Sequence, residues 1–157
     1  MKNKQENYHF KRLNTQNQPL LAQKLYHLVQ DNYEEASNWT IASFEADLIE
    51  VTNRYYGVYH LEQLVGFVAY QVVLDEATIT NIVIKKAYQK QGLAQALWQF
   101  SIDNLIKLEI ITIFLEVRDS NIAARKFYEA SGFEEYYRRK DYYHNPLEDA
   151  ILYRYQM

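Results

Sequence analysis

A β-branched run that stops at a glycine turn and opens into an amphipathic helix, Thr78 to Ala96, constrains this chain more than any other stretch. Thr78-Ile79-Thr80-Asn81-Ile82-Val83-Ile84 reads as a buried strand, and Gln89-Lys90-Gln91-Gly92-Leu93-Ala94 as the loop that opens the next helix. The first amides of a helix have no intrahelical partners, and the helix dipole favours negative charge beside them. A strand feeding such a loop is therefore an anion site, and a phosphate-bearing ligand is expected. A lone glycine before a helix is also an ordinary turn or close-packing device. The loop is neither a Walker loop, which needs Gly-Lys followed by Ser or Thr, nor a three-glycine dinucleotide fingerprint.

The elements on either side suit an α/β fold. Tyr8 to Leu13 alternates as a first strand, and Pro19 stands where proline is welcome at a helix start. Leu20, Leu21, Lys24, Leu25, Leu28 and Val29 then follow helical spacing. Thr40 is placed to cap a second helix that carries Phe44, Leu48 and Ile49. Trp39 before it reads either as a staple of that helix, the favoured reading, or as a cleft wall. Tyr55 to His60, Leu64 to Leu74 and Thr78 to Ile84 form an antiparallel meander. Ala94, Leu97, Trp98, Ser101, Ile102 and Leu105 make the apolar stripe of the next helix, which leads to a strand at Ile110 to Val117. A right-handed crossover makes that strand the parallel neighbour of Thr78 to Ile84. A short helix runs from about Asn121 to Ala130, capped by Ser120 or Asn121 and stopped at Gly132. Strands at Phe133 to Tyr137 and Ala150 to Tyr155 close the chain, with Arg138 to Asp149 expected as a loop. The fold class is α/β: a single domain over 1–157, with a mixed, mostly antiparallel sheet, one parallel strand pair and helices on both faces.

Composition narrows the chemistry by exclusion. With 17 Lys plus Arg against 20 Asp plus Glu, the net charge of −3 gives no general attraction to nucleic acid or an anionic membrane. There is no cysteine, so disulfides, thiolate metal sites and a cysteine nucleophile are ruled out. His9, His27, His60 and His144 show no ligand spacing, and no metal is expected. The apolar stretch Leu64 to Tyr70 is too short to span a bilayer, and no apolar signal core follows Met1 to Glu6. A cytoplasmic protein is the default expectation.

Two residues stand out as chemistry-bearing. Glu116 is a carboxylate inside an apolar strand, where burial is costly without partners. It reads either as an ion pair with Arg118 or another basic group, or as a general base at the end of the crevice beyond parallel strands. Tyr128, on the last helix with Ala124 and near Phe127, reads by itself as a core aromatic.

Ala77 to Ala94, Phe114-Leu115-Glu116-Val117-Arg118, Asn121, Phe127-Tyr128-Glu129 and Ser131-Gly132-Phe133 resemble the GNAT acetyltransferase superfamily. Within it the chain is most similar to bacterial ribosomal-protein alanine N-acetyltransferases. Arg138-Arg139, Tyr142-Tyr143 and Glu148-Asp149-Ala150 extend the likeness into the pattern of protein N-terminal acetyltransferases. The resemblance is dense from about Gln71 onward and rests earlier on Trp39-Thr40 and element order.

It implies acetyl-CoA as donor. Gln89, Gly92 and Ala94 match the pyrophosphate loop, which also takes in Lys90, Gln91, Leu93 and Gln95. Lys90 and Gln95 stand where close relatives often carry Arg, so the loop is less basic. Ile82, Val83 and Ile84 match the strand whose backbone holds the acetyl group and pantetheine arm, and Asn121 matches a CoA contact. Glu116 carries over as the base, through water, and Tyr128 as the acid that protonates the CoA sulfur. Backbone amides around Val83 would face the thioester oxygen. Trp39, Tyr142 and Tyr143 match the region that receives the acceptor, though in a chain with 15 Tyr ordinary packing accounts for the pair equally well. The loop His144-Asn145-Pro146-Leu147 is shorter than in enterobacterial-type relatives.

The acceptor implied is a protein N-terminal amine, that of a basic ribosomal protein. Two other readings stay open: a GNAT enzyme acting on a lysine or small amine, and a catalytically silent acyl-CoA-binding module. Retention of both Glu116 and Tyr128 argues against the last. Oligomeric state is not legible in the sequence.

Overall fold

The computed structural model describes residues 7–16, 20–32 and 37–157. The expectations for Pro19 and for the segment Met1 to Glu6 lie outside the described residues. In chain order the elements are β1 (Tyr8–Arg12), α1 (Leu21–Asn32), α2 (Ile41–Leu48), β2 (Arg54–His60), β3 (Gln63–Val73), β4 (Glu76–Ile84), α3 (Leu93–Ile106), β5 (Thr112–Arg118), α4 (Ile122–Ala130), β6 (Glu134–His144) and β7 (Leu147–Gln156). They build one seven-stranded sheet in the order β1-β2-β3-β4-β5-β7-β6. Every neighbouring pair is antiparallel except β4 and β5. This is the expected α/β arrangement with its single parallel pair.

Two cores sandwich the sheet. On one face, Leu93, Leu97, Trp98, Ile102 and Leu105 of α3 and Tyr128 of α4 pack on Ala77, Ile79, Ile113, Leu115 and Val117. On the other, Leu21, Leu25, Leu28 and Val29 of α1 and Phe44 and Leu48 of α2 pack on Phe67, Ala69 and Val83. Ser101 sits in the α3 stripe because its hydroxyl is satisfied there, 2.6 Å from the Tyr70 hydroxyl and donating to Trp98 O at 2.7 Å. Thr40 caps α2 as expected, accepting from the Ser43 amide at 3.0 Å while Ser43 Oγ accepts from the Thr40 amide at 2.7 Å. The Trp39 ring stacks on Phe44 at 4.6 Å, joining the residue before the cap to the fourth helical position, so it does staple the helix.

Three features position the site. First, β4 and β5 pair only over Glu76–Thr112, Ala77–Ile113 and Thr78–Phe114, then separate. Both strands run on, β4 to Ile84 and β5 to Arg118, so a gap opens between their C-terminal halves. Second, the register of β3 against β4 shifts from Ala69–Asn81 to Tyr70–Ile79, leaving Thr80 as one extra residue on β4. Such a bulge reverses which face the following side chains occupy.

Third, Arg138 to Asp149 is not a loop. β6 runs through to His144 and pairs with β7 down to His144–Leu147, leaving Asn145 and Pro146 as the turn. The sequence hid this because nearly every β6 side chain is exposed, with only Tyr143 half-buried, so no alternating apolar face exists to be read. Pairing with β7, whose Ala150 to Tyr153 are buried, is what holds the strand.

Candidate active site

A cleft of about 700 Å³ opens over the β4–β5 gap on the α1/α2 side of the sheet. Trp39 walls it from the α2 cap, Thr78 and Thr80 from β4, Phe114 and Glu116 from β5, and Tyr136, Arg139, Tyr142 and Tyr143 from β6. Of the residues expected for acceptor and base, Trp39, Glu116, Tyr142 and Tyr143 are thus gathered in one place. Thr78, Thr80, Phe114, Tyr136 and Arg139 were not foreseen as its walls. Arg139 lay within a motif, but placing it needs the β6 register.

Two irregularities in β6 create the cleft roof. The register against β7 shifts between Glu135 and Tyr137 and again between Arg139 and Tyr143. At the second shift Asp141 takes a positive φ of 53° and its amide donates to Asp149 Oδ1 at 2.9 Å. The strand bulges there, and Tyr142 swings over β5. Its hydroxyl donates to Glu116 Oε1 at 3.3 Å, while Arg139 Nη1 stands 3.9 Å from Glu116 Oε2 and 5.4 Å from the Tyr142 ring centroid by its guanidinium carbon. Glu116 is therefore ion-paired to a basic group and also open to the cleft, its side chain 40% exposed. The ion pair read from the sequence is thus formed, with Arg139.

The neighbouring Arg118 braces the hairpin. Its Nη1 bonds Glu148 Oε1 at 2.9 Å, its guanidinium lies 4.2 Å over the Tyr143 ring, and Glu148 Oε2 accepts from the Ser120 amide at 3.1 Å. The Arg118 hydrogen bond, with the Ser120 amide behind it, holds the Glu148 carboxyl below the usual range. Burial and the adjacent Glu116 carboxylate push the Tyr143 hydroxyl up to about 12, so it remains a hydrogen-bond donor at any ordinary pH. Tyr142 and Tyr143 also pack edge to face at 5.1 Å.

Tyr128 is elsewhere. It is buried on the α3/α4 face, 5.5 Å from the Phe133 ring and 6.3 Å from Tyr153, and does not line the cleft. Glu116 and Tyr128 do not share one wall.

The glycine loop ends at the start of α3. Gly92 is the α3 N-cap with φ 81°, a left-handed conformation natural to glycine, and no side chain caps the helix. The first amide taken up by the helix is that of Ala96, which donates to Gly92 O at 3.0 Å. The amides of Leu93, Ala94 and Gln95 precede it, and a side chain at Gly92 would project into open space. Amides of this kind at a helix start are the feature from which an anion site was expected of the stretch. Gln89 Nε2 donates to Ile84 O at 2.8 Å, tying the loop to the end of β4, and Lys90 holds a positive φ of 60°. Gln91 accepts from the Tyr8 hydroxyl at 3.1 Å and Gln95 from Ser131 at 3.1 Å, so both side chains point to neighbours. Ile82, Val83 and Ile84 lie on the part of β4 that has left β5. Asn121 caps α4, its Oδ1 accepting from the Ala124 amide at 3.2 Å. Among the described residues no cluster of His, Asp and Glu is fit to hold a metal ion, and no helix is long and apolar enough to cross a membrane.

The profile of the acetyltransferase (GNAT) family matches residues 22–133. A [ribosomal protein bS18]-alanine N-acetyltransferase of Escherichia coli is 47% identical over 92 residues, which are 57% of this chain and 62% of that one. The corresponding enzyme of Haemophilus ducreyi is 39% identical over 104 residues, 63% of this chain and 72% of its own. The first match thus spans about three fifths of that relative's length. The crystal structure of the ribosomal-protein-S18-alanine N-acetyltransferase from Escherichia coli superposes with a TM-score of 0.83 at 32% identity, covering 95% of this chain and 93% of that one.

Proposed function

The chain belongs to the acetyltransferase (GNAT) family, and on that footing we propose that it moves the acetyl group of acetyl-CoA onto the N-terminal α-amine of a protein. The acceptor proposed is a basic ribosomal protein, in line with the bS18-alanine activity named for its relatives. The observation that carries this reading is a continuous path. The open edge of β4 runs from the unpartnered amides that begin α3 to the gap beside Glu116. Acetyl-CoA would supply an activated thioester, its pyrophosphate at the Gly92 to Gln95 amides and its pantetheine arm along Ile82 to Ile84. A cytoplasmic setting goes with this substrate.

In this reading the nitrogen loses two protons, one before attack and one as the C–N bond replaces the C–S bond; the departing sulfur gains one, and the other goes to solvent. A protein α-amine has a pKa of about 8, so a modest base frees its lone pair at neutral pH. Glu116, open to the cleft and steadied by Tyr142 and Arg139, takes that proton through water. Backbone amides near Val83 face the thioester oxygen as negative charge builds on it. Tyr128, on the other side of the gap, returns a proton to the departing sulfur; a thiol of pKa about 8.5 is a stronger acid than tyrosine at about 10, so the donor must be held close. Transfer is direct, with no acylated residue on the enzyme.

An alanine-starting basic peptide incubated with the protein and acetyl-CoA, followed by mass spectrometry with site mapping, tests the proposal. One acetyl group on the α-amine is expected. Acetylation confined to lysine side chains would replace the acceptor class, and CoA binding without turnover of any amine would mean a silent acyl-CoA-binding module.

A further inference from the structure

Asn81 is buried, with 6% of its surface exposed, and its Nδ2 has no hydrogen-bond partner. A sealed donor left unsatisfied costs about 1–3 kcal/mol, so natural chains rarely keep one without a use. Its position is as unusual as its isolation. Ahead of the bulge, Ala77 and Ile79 face the α3 core. Strict alternation would send Asn81 to that same face. The extra residue Thr80 reverses it, pairing Asn81 with Ala69, which belongs to the α1/α2 face. That is the face of Thr80 and Glu116 in the cleft, and the turnover happens just past Thr78, the last β4 residue to pair with β5. Bulges beside active sites commonly re-aim one side chain in this way.

From this placement we propose that Asn81 is the specificity residue that donates its amide N–H to the first carbonyl oxygen of the acceptor chain. The inference rests on the N-terminal acceptor proposed above. A protein α-amine carries that carbonyl one carbon away, whereas a lysine ε-amine is followed by four methylenes and offers no acceptor there. The right substrate satisfies a donor that is unpaired in the free protein, and a lysine ε-amine forgoes that gain. The broad χ2 torsion of asparagine lets the donor turn toward an arriving carbonyl at little cost.

The test compares wild type with Asn81→Leu, a near-isosteric change that removes the donor, using an alanine-starting peptide and its analogue with a trans-alkene in place of the first amide. In Asn81→Leu, KM for the peptide should rise about tenfold or more, the loss of one well-placed hydrogen bond. The melting temperature should hold or rise, since an unsatisfied donor is gone, and KM for acetyl-CoA and kcat at saturating peptide should stay near wild type. Wild type should discriminate against the alkene analogue by a similar factor, and Asn81→Leu should treat both peptides alike. Unchanged peptide KM overturns the inference, as does a fall in kcat with KM unchanged, which would place the donor at the thioester. If Asn81→Leu is misfolded, Asn81→Ser, which keeps a donor, must retain the preference for the natural peptide over the alkene; loss of that preference in a folded Asn81→Ser also overturns it. A wild-type enzyme that leaves every peptide α-amine untouched fails the proposed function itself, a result distinct from any of these.

Discussion

Glu116 and Tyr128 lie on opposite faces of the same sheet, Glu116 in the cleft on the α1/α2 side and Tyr128 buried beneath α4 on the other. Past Thr78 and Phe114 β4 and β5 stop pairing, and a gap opens in the sheet beside Glu116. A reacting carbonyl seated in that gap can be approached by an amine from the Glu116 side while its leaving group faces Tyr128.

Glu116→Gln should lower kcat/KM for an N-terminal peptide by about 10²-fold at neutral pH, the low end of what general-base catalysis contributes. The loss should be largest below about pH 8, where the α-amine is protonated, and should shrink above it. Steady-state rates from pH 6 to 9.5 check this. A variant matching wild type at every pH would remove Glu116 as the base and leave its contacts to Arg139 and Tyr142 as structural.

Tyr128→Phe keeps the ring that packs on Phe133 and Tyr153 and removes only the hydroxyl. Turnover should fall roughly 10- to 100-fold, in the range of a lost general acid. The dissociation constant for CoA, measured by calorimetry, and the melting temperature should stay close to wild type. A weakened CoA complex would show that the hydroxyl serves packing.

What the sequence revealed and what it concealed divide along physical lines. β4, α3 and the glycine loop were legible because β-branched runs, helical apolar spacing and Gly92 are local signals. The Thr40 cap and the Trp39–Phe44 staple were local too. The bulge at Thr80 was not, because Thr78 to Ile84 reads as an unbroken strand and only pairing with β3 exposes the extra residue. β6 was read short because an edge strand with exposed side chains carries no alternation. That misreading concealed Arg139 as a cleft wall. Nor does chain order report that Glu116 and Tyr128 fall on opposite faces.

Gly92→Ala tests the anion site proposed at the start of α3. At φ 81° an L residue is strained by about 1 kcal/mol, and since an added Cβ meets nothing within 4 Å the cost is conformational. The melting temperature should drop by roughly 2–4 °C. The methyl group would stand beside the amides that begin α3, so KM for acetyl-CoA should rise several-fold with peptide KM little changed. Equal acetyl-CoA KM in the two proteins would place the pyrophosphate elsewhere.

Glu148→Gln tests whether the hairpin roof is held electrostatically. Glu148 is bonded by Arg118 and by the Ser120 amide, and both lower its pKa beneath the ordinary 4.5. A carboxylate depressed in the folded state adds stability that is complete above its unfolded pKa and fades as pH falls through the folded one. The variant should therefore melt lower than wild type near neutrality, by roughly 2–4 °C for the loss of about 1 kcal/mol. That difference should narrow progressively below pH 4.5. Because the same contacts steady the strand that carries Tyr142 and Tyr143, peptide KM should rise at neutral pH while acetyl-CoA KM holds. Melting curves from pH 3 to 7 with peptide kinetics at pH 7 check both; a stability difference independent of pH would mean that charge on Glu148 is not what fastens the hairpin.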